Sequence, residues 1–281
     1  MRKLNKPTQD AGAIYASCIS IVRNPAMRRH LEALRPRVEA ASLDYDAKGA
    51  LAEWHLIAQT GAVGPVPKKE LVDTYKTRMA RPNTPGRAIY DKLIVVPQRR
   101  CPLCAQRDVS TLDHYLPEAH FSLLTVVPFN LVPACKDCNH KKLNTIASSF
   151  EEQTFHPYYD DFDDGVWISA KLVDSDPLGV LYDVVQPDGW SDEKFARACK
   201  HFETLELGAL YSDHAVSELG EIKRRLKELY DAGGSVAVEE DLRLSATSIT
   251  GVHVNSWRGA LYTAASGTGW FCDGGFEAIA E

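Results

Sequence analysis

Over roughly the first 95 residues, apolar positions recur with the period of a helix. Asn24-Pro25 is a helix-start signal, and Met27, Leu31 and Leu34 follow at helical spacing. A longer helical stretch is predicted from Val38 to Ala58, with Leu43, Leu51, Trp54 and Leu56 as its apolar positions, ended by Gly61, Gly64, Pro65 and Pro67. Two shorter helices are predicted near Lys68–Met79 and Pro85–Val95. From residue 98 to 160 the periodicity vanishes, and Cys, His, Asn and Pro punctuate the chain. Val166–Val173 and Val180–Gln186 read as two strands about an Asp-Ser-Asp-Pro-Leu-Gly turn. Helical spacing then returns. Ser191 is placed to cap a helix reaching Thr204, a second spans Ala209–Asp231 and closes at Gly233-Gly234, a third covers Val238–Ala246, and Asn255 is placed to cap a fourth. The expectation is an α+β chain in three regions: a helical 1–97, a compact 98–160, and a 161–281 region made of a hairpin followed by helices.

Composition narrows the class. The chain has 281 residues, 44% hydrophobic and 25% charged, enough apolar content for a core. No apolar run approaches the roughly 18 residues of a membrane span, and the MRKLNKPTQD start has no apolar stretch behind its basic residues. A membrane protein and a secreted one are therefore not expected. The net charge of −6 is unevenly spread. Residues 1–150 hold 22 Lys and Arg against 13 Asp and Glu, a net of +9, while residues 151–281 hold 10 against 25, a net of −15. A basic half suits a phosphate backbone and an acidic half a protein surface.

The seven cysteines are not a disulfide set. Cys101-Pro-Leu-Cys104 and Cys135-Lys-Asp-Cys138 form two C-x-x-C pairs. Each pair brings two thiolates to one ion, and two pairs complete the tetrahedral Cys₄ site that Zn²⁺ prefers. With every position filled by sulfur, such a zinc is structural. A reducing, cytoplasmic setting is expected, with Cys18, Cys199 and Cys272 as buried small residues.

Between and after the pairs stand Asp113-His114-Tyr115-Leu116-Pro117, then Asn130-Leu131, then Asn139-His140-Lys141-Lys142. Singly, each has an ordinary structural reading as a turn, a cap or a solvated charge. Together they supply what phosphodiester hydrolysis needs. That reaction wants a base near neutral pH and hard oxygen donors for Mg²⁺ or Mn²⁺.

The run CPLC…LDHYLP…FNLVPACKDCNHKK resembles the HNH endonucleases, the zinc-stapled version of the ββα-metal nuclease fold, over about residues 98–145. The resemblance implies that His114 activates water, that Asp113 and Asn139 hold one divalent ion, and that Asn130 braces the loop carrying His114. It further implies that Lys142 lies near the phosphate and that Cys101, Cys104, Cys135 and Cys138 bind zinc. Many members carry a Gly-Gly where this chain has Ala119-His120-Phe121, which leaves the shape of that loop open, and His140 competes with Asn139 as a ligand. The basic start, the His156-Pro157-Tyr158-Tyr159-Asp160 segment and the helical C-terminal half are similar to the HNH subunits of Septu-type antiphage defence systems, retron-associated ones included. That similarity implies a nuclease gated by an ABC-type ATPase partner, since this chain has no G-x-x-x-x-G-K-[ST] of its own.

Four smaller expectations complete the reading. The segment Phe155-His156-Pro157-Tyr158-Tyr159-Asp160 packs the end of the nuclease module against the C-terminal region, with His156 a structural histidine. Asp160, Asp161, Asp163 and Asp164 form a solvated acidic loop. Trp257, Trp270 and Phe271 are candidate apolar anchors for a protein partner on residues 190–281. The rival class is a zinc-knuckle module that binds nucleic acid or protein without catalysis. Whether the nucleic acid is DNA or RNA is not encoded in the motif.

Overall fold

The structure, a computed structural model, describes residues 1–279 of the chain and is α+β. It divides into two units, Met1–Asp160 and Asp161–Glu281. No described helix is long and apolar enough to cross a membrane.

Unit 1 opens with α1 (Ala11–Ile19), α2 (Pro25–Ala33), α3 (Arg35–Gly49), α4 (Lys68–Lys76) and α5 (Arg87–Leu93). Caps fix the starts: Asp10 accepts from Ala13 N at 2.7 Å, and Asn24 accepts from Ala26 N and Met27 N with Pro25 at the first helical position. The helix predicted from Val38 to Ala58 ends instead at Gly49. The chain turns through Ala52 at φ 54° into a short 3-10 turn, Trp54–Leu56. Leu43, Leu51 and Leu56 are exposed, and Trp54 alone of the four is buried. Burial of that one indole against neighbours from elsewhere in unit 1 decides the break. Its ring lies parallel to His156 at 4.9 Å and meets Tyr115 at 4.9 Å and Tyr159 at 5.3 Å. Gly49 permits the approach, because a Cβ there would lie 2.6 Å from the Tyr159 ring.

His156 is thus a structural histidine, the hub of an aromatic core inside unit 1. Tyr158 N donates to its Nδ1 at 3.2 Å, so the proton sits on Nε2 and is shared between Phe129 O at 3.1 Å and Tyr45 Oη at 2.9 Å. Asp160 accepts from His156 N at 2.7 Å and closes the segment.

The compact region follows as β1 (Thr111–His114), β2 (Leu131–Ala134) and α6 (Lys136–Lys142). The strands pair antiparallel, with His114 opposite Leu131 and Asp113 opposite Val132. This hairpin-then-helix folds with the five N-terminal helices as one unit. The loop between the strands, lacking Gly-Gly, is tied to an N-terminal segment. Thr60 N donates to His120 O at 2.8 Å, Ser122 N to Thr60 O at 3.2 Å, and Ser122 Oγ to Gly61 O at 2.6 Å.

Unit 2 begins with an acidic loop and a second hairpin, β3 (Ile168–Val173) with β4 (Gly179–Val184). Within the acidic loop Asp164 is committed to Trp190 Nε1 and Lys194 Nζ. Helices α7 (Asp192–Thr204), α8 (Leu207–Thr250), α9 (Trp257–Ser266) and α10 (Gly269–Cys272) follow. Ser191 caps α7 by accepting from Lys194 N. The α8 run is interrupted at Gly234, at φ 67° and ψ −161°, a region open essentially to glycine alone. The chain doubles back there, so that Arg225 pairs with Asp241 at 3.2 Å and Leu226, Val238 and Leu242 are buried.

Two expectations for unit 2 are corrected. Ser256, not Asn255, caps α9, accepting from Gly259 N. Asn255 is buried and bridges loop to helix, accepting from Trp167 N and donating to Phe162 O and Gly165 O. A buried amide that satisfies three backbone groups outweighs one cap bond. Of the candidate aromatic anchors, Trp257 and Phe271 are buried in the core of the unit, and Trp270 is the exposed one, at 38%.

Candidate functional site

The four cysteines of the two pairs are brought together. Cys101 and Cys104 precede β1, Cys135 caps α6 and Cys138 lies in its first turn. All four are buried, and their sulfurs lie within 4.8 Å of one another. A tetrahedral zinc at about 2.3 Å from each sulfur needs sulfur separations of about 3.8 Å, so the set fits that ion. Backbone amides already point at the sulfurs, Arg107 N to Cys104 Sγ and Cys138 N to Cys135 Sγ, both at 3.4 Å. Among the described residues no second cluster of three or more His, Cys, Asp or Glu groups could hold an ion. Cys18 and Cys272 are buried and Cys199 is half-buried; burial pushes the Cys18 thiol up to about 12.

Asp113 and His114 end β1, pointing to opposite sides of the strand. Both are buried. His114 Nε2 lies 2.8 Å from Thr125 O. A carbonyl only accepts, so Nε2 carries the hydrogen and Nδ1 keeps its lone pair. Burial holds the imidazole below its ordinary value, against the opposing charge of Glu118. Tyr75 of α4 stands edge-on to the ring at 4.5 Å and donates its hydroxyl to Leu112 O. Asp113 is raised by burial, with Lys142 opposing.

Lys142 reaches the end of β1. It is 6% exposed, donates to His114 O at 2.7 Å and pairs with Asp113 Oδ2 at 3.1 Å. It therefore ties the last turn of α6 to the end of β1. Asn139, one turn earlier, is half-buried and lines a cleft of about 440 Å³ with Thr111, Lys136 and the exposed His140. Asn130 is buried and grips the loop after His114. Its Oδ1 accepts from Leu116 N at 2.7 Å, and its Nδ2 donates to Leu116 O at 3.0 Å and Leu124 O at 3.3 Å.

Sequence reasoning missed the neighbours that furnish the histidine: Tyr75 and Lys76 from α4, Glu118 and Thr125. Lys76 Nζ pairs with Glu118 Oε1 at 2.7 Å, and Glu118 Oε2 lies 3.9 Å from His114 Nδ1. Between Lys68 and Arg107 the sequence holds ten Lys and Arg against three Asp and Glu, a basic run that marks this segment without naming a partner.

No family model matches the chain, and no solved structure matches it. Protein ea31 of Escherichia phage lambda is 34% identical over 167 residues, 58% of this chain and 56% of that protein. The chain thus spans a little over half the length of the curated relative it matches, and the likeness carries no activity with it.

Proposed function

We propose that unit 1 is a metal-dependent HNH endonuclease that hydrolyses phosphodiester bonds of DNA or RNA. The observation that supports this most is the state of His114. Its Nε2–H is committed to Thr125 O, so the Nδ1 of this buried ring is a fixed lone pair. That is how a general base is built. The charge agrees: residues 1–160 carry 22 Lys and Arg against 16 Asp and Glu, a net of +6, and residues 161–281 carry 10 against 22, a net of −12.

His114 Nδ1 takes a proton from water as the water oxygen bonds to phosphorus. The departing oxygen leaves with the electron pair of the broken P–O bond and takes a proton from solvent. Asp113 and Asn139 would hold Mg²⁺ or Mn²⁺, whose charge would offset that developing on the phosphate. A carboxylate and an amide oxygen are the hard donors such an ion takes, with water completing the shell. Lys142 already balances Asp113 at 3.1 Å, so the ion would share the carboxylate with the ammonium or displace it. The four cysteines would hold zinc and fix the start of α6 beside β1.

The test is cleavage of single- and double-stranded DNA and RNA by the full chain with Mg²⁺ or Mn²⁺. His114→Ala should lower the rate by about 10²–10⁴ with zinc content and melting unchanged. Equal rates for His114→Ala and wild type would remove the assignment. Tight nucleic-acid binding without cleavage would favour the rival binding module.

A further inference from the structure

Glu118 is used by nothing described so far. It sits four residues after His114, in the turn that follows Pro117. One carboxylate oxygen, Oε1, is anchored by Lys76 Nζ at 2.7 Å. The other, Oε2, is buried and has no hydrogen-bond partner. A buried carboxylate oxygen without a donor is costly, so its placement calls for a reason. That oxygen lies 3.9 Å from His114 Nδ1.

Both atoms are acceptors. Nδ1 is a lone pair because Nε2–H is spent on Thr125 O, and an ionised carboxylate only accepts. They cannot bond to each other, and 3.9 Å is beyond a hydrogen bond in any case. What satisfies two acceptors at this spacing is one molecule with two O–H donors. A water about 2.8 Å from each would give one hydrogen to Nδ1 and the other to Oε2. With both hydrogens so directed, its lone pairs face away from these two atoms and are free for an incoming phosphorus.

We infer that Glu118, held by Lys76, is a positioning residue that orients the water His114 deprotonates. The inference rests on the hydrolase reading above. In the step itself one O–H bond of the water breaks, its proton goes to Nδ1, and the oxygen's electron pair forms the bond to phosphorus. Glu118 keeps the second hydrogen and is chemically unchanged. Its charge also faces the imidazolium that results.

The experiment pairs kinetics with crystallography on the full chain. Glu118→Gln keeps the size but replaces one acceptor oxygen by a donor. It should lower kcat by about 10²-fold, the usual cost of a misplaced reacting group, with KM and zinc content unchanged. Glu118→Asp, which restores an acceptor on a shorter arm, should recover part of the rate. A wild-type crystal structure should show one ordered water within hydrogen-bond distance of Nδ1 and Oε2, displaced or lost in Glu118→Gln. If His114→Ala is inactive but Glu118→Gln cleaves like wild type, the role of Glu118 falls and the hydrolase reading stands. The inference falls equally if no water bridges the two atoms. If wild type and His114→Ala cleave alike, the hydrolase reading falls and takes this inference with it.

Discussion

Asn130 holds Leu116 at both ends of one residue, accepting from its N–H at 2.7 Å and donating to its C=O at 3.0 Å. The loop that leaves the end of β1 is thereby fixed to the residue just before β2. Asn130→Ala would take their partner from the buried N–H and C=O of Leu116, while Leu124 O would keep its bond from Val127 N. It should cost about 2–4 kcal/mol, since each such group costs about 1–3. Asn130→Asp should cost more, because a carboxylate would face Leu116 O and Leu124 O. Denaturant unfolding of both variants checks this.

Lys142 gives a prediction that separates two roles. A lysine waiting for phosphate would change KM and leave stability alone. A lysine buried against Asp113 and His114 O is part of the fold. Lys142→Ala should therefore destabilise unit 1 by about 3–5 kcal/mol, the range for breaking a buried pair from one side. Thermal melting decides between the two, and an unchanged melting temperature would contradict the buried placement.

The acidity of His114 sets a pH dependence. Burial holds its folded value below the ordinary imidazole range, and the base works only when neutral. As pH falls through about 6.5, where a free imidazole protonates, cleavage at saturating Mg²⁺ should persist and be lost only lower. Stability follows the same sign. The unfolded chain binds the proton first, so the neutral buried ring favours the fold above that pH and the advantage is lost as pH falls through the window. Rate–pH profiles and melting at pH 5–8 measure both.

Zinc should be found at one ion per chain by elemental analysis and should survive gentle EDTA treatment, with cleavage restored by Mg²⁺ or Mn²⁺ alone. Cys135→Ser should lose the zinc and lower the stability of unit 1. A folded chain with no zinc would refute the site.

Gly234 carries the reversal within α8. Gly234→Ala places a side chain at φ 67° and ψ −161° and should destabilise unit 2 by about 1–3 kcal/mol, measurable by denaturant unfolding.

Local signals were legible in the sequence where local chemistry decides. Asn24, Ser191 and Gly234 mark their helix ends because caps and left-handed turns act within a few residues. The cysteine pairs were legible because zinc spacing is a short-range pattern. Long-range burial was not. Trp54 ends a helix for the sake of Tyr115, His156 and Tyr159, and Asn255 forgoes a cap for a bridge to residues 162–167. Glu118 and Lys76 have no motif at all. Their meaning comes only from His114, which the fold places beside them.

The tie between Thr60 and the loop at His120–Ser122 has a consequence for the history of the chain. Helix α4 walls the histidine, the 60–61 backbone shapes the loop, and Trp54 packs beneath it. A hairpin and helix so furnished are not a detachable cassette. Moved into another host at residue 98, they would carry the metal knuckles but leave behind the residues that set the tautomer's surroundings and the loop's path. Recombination among proteins of this kind should therefore cut near residue 160 and spare the join at 97, and swapped chimaeras should fold accordingly.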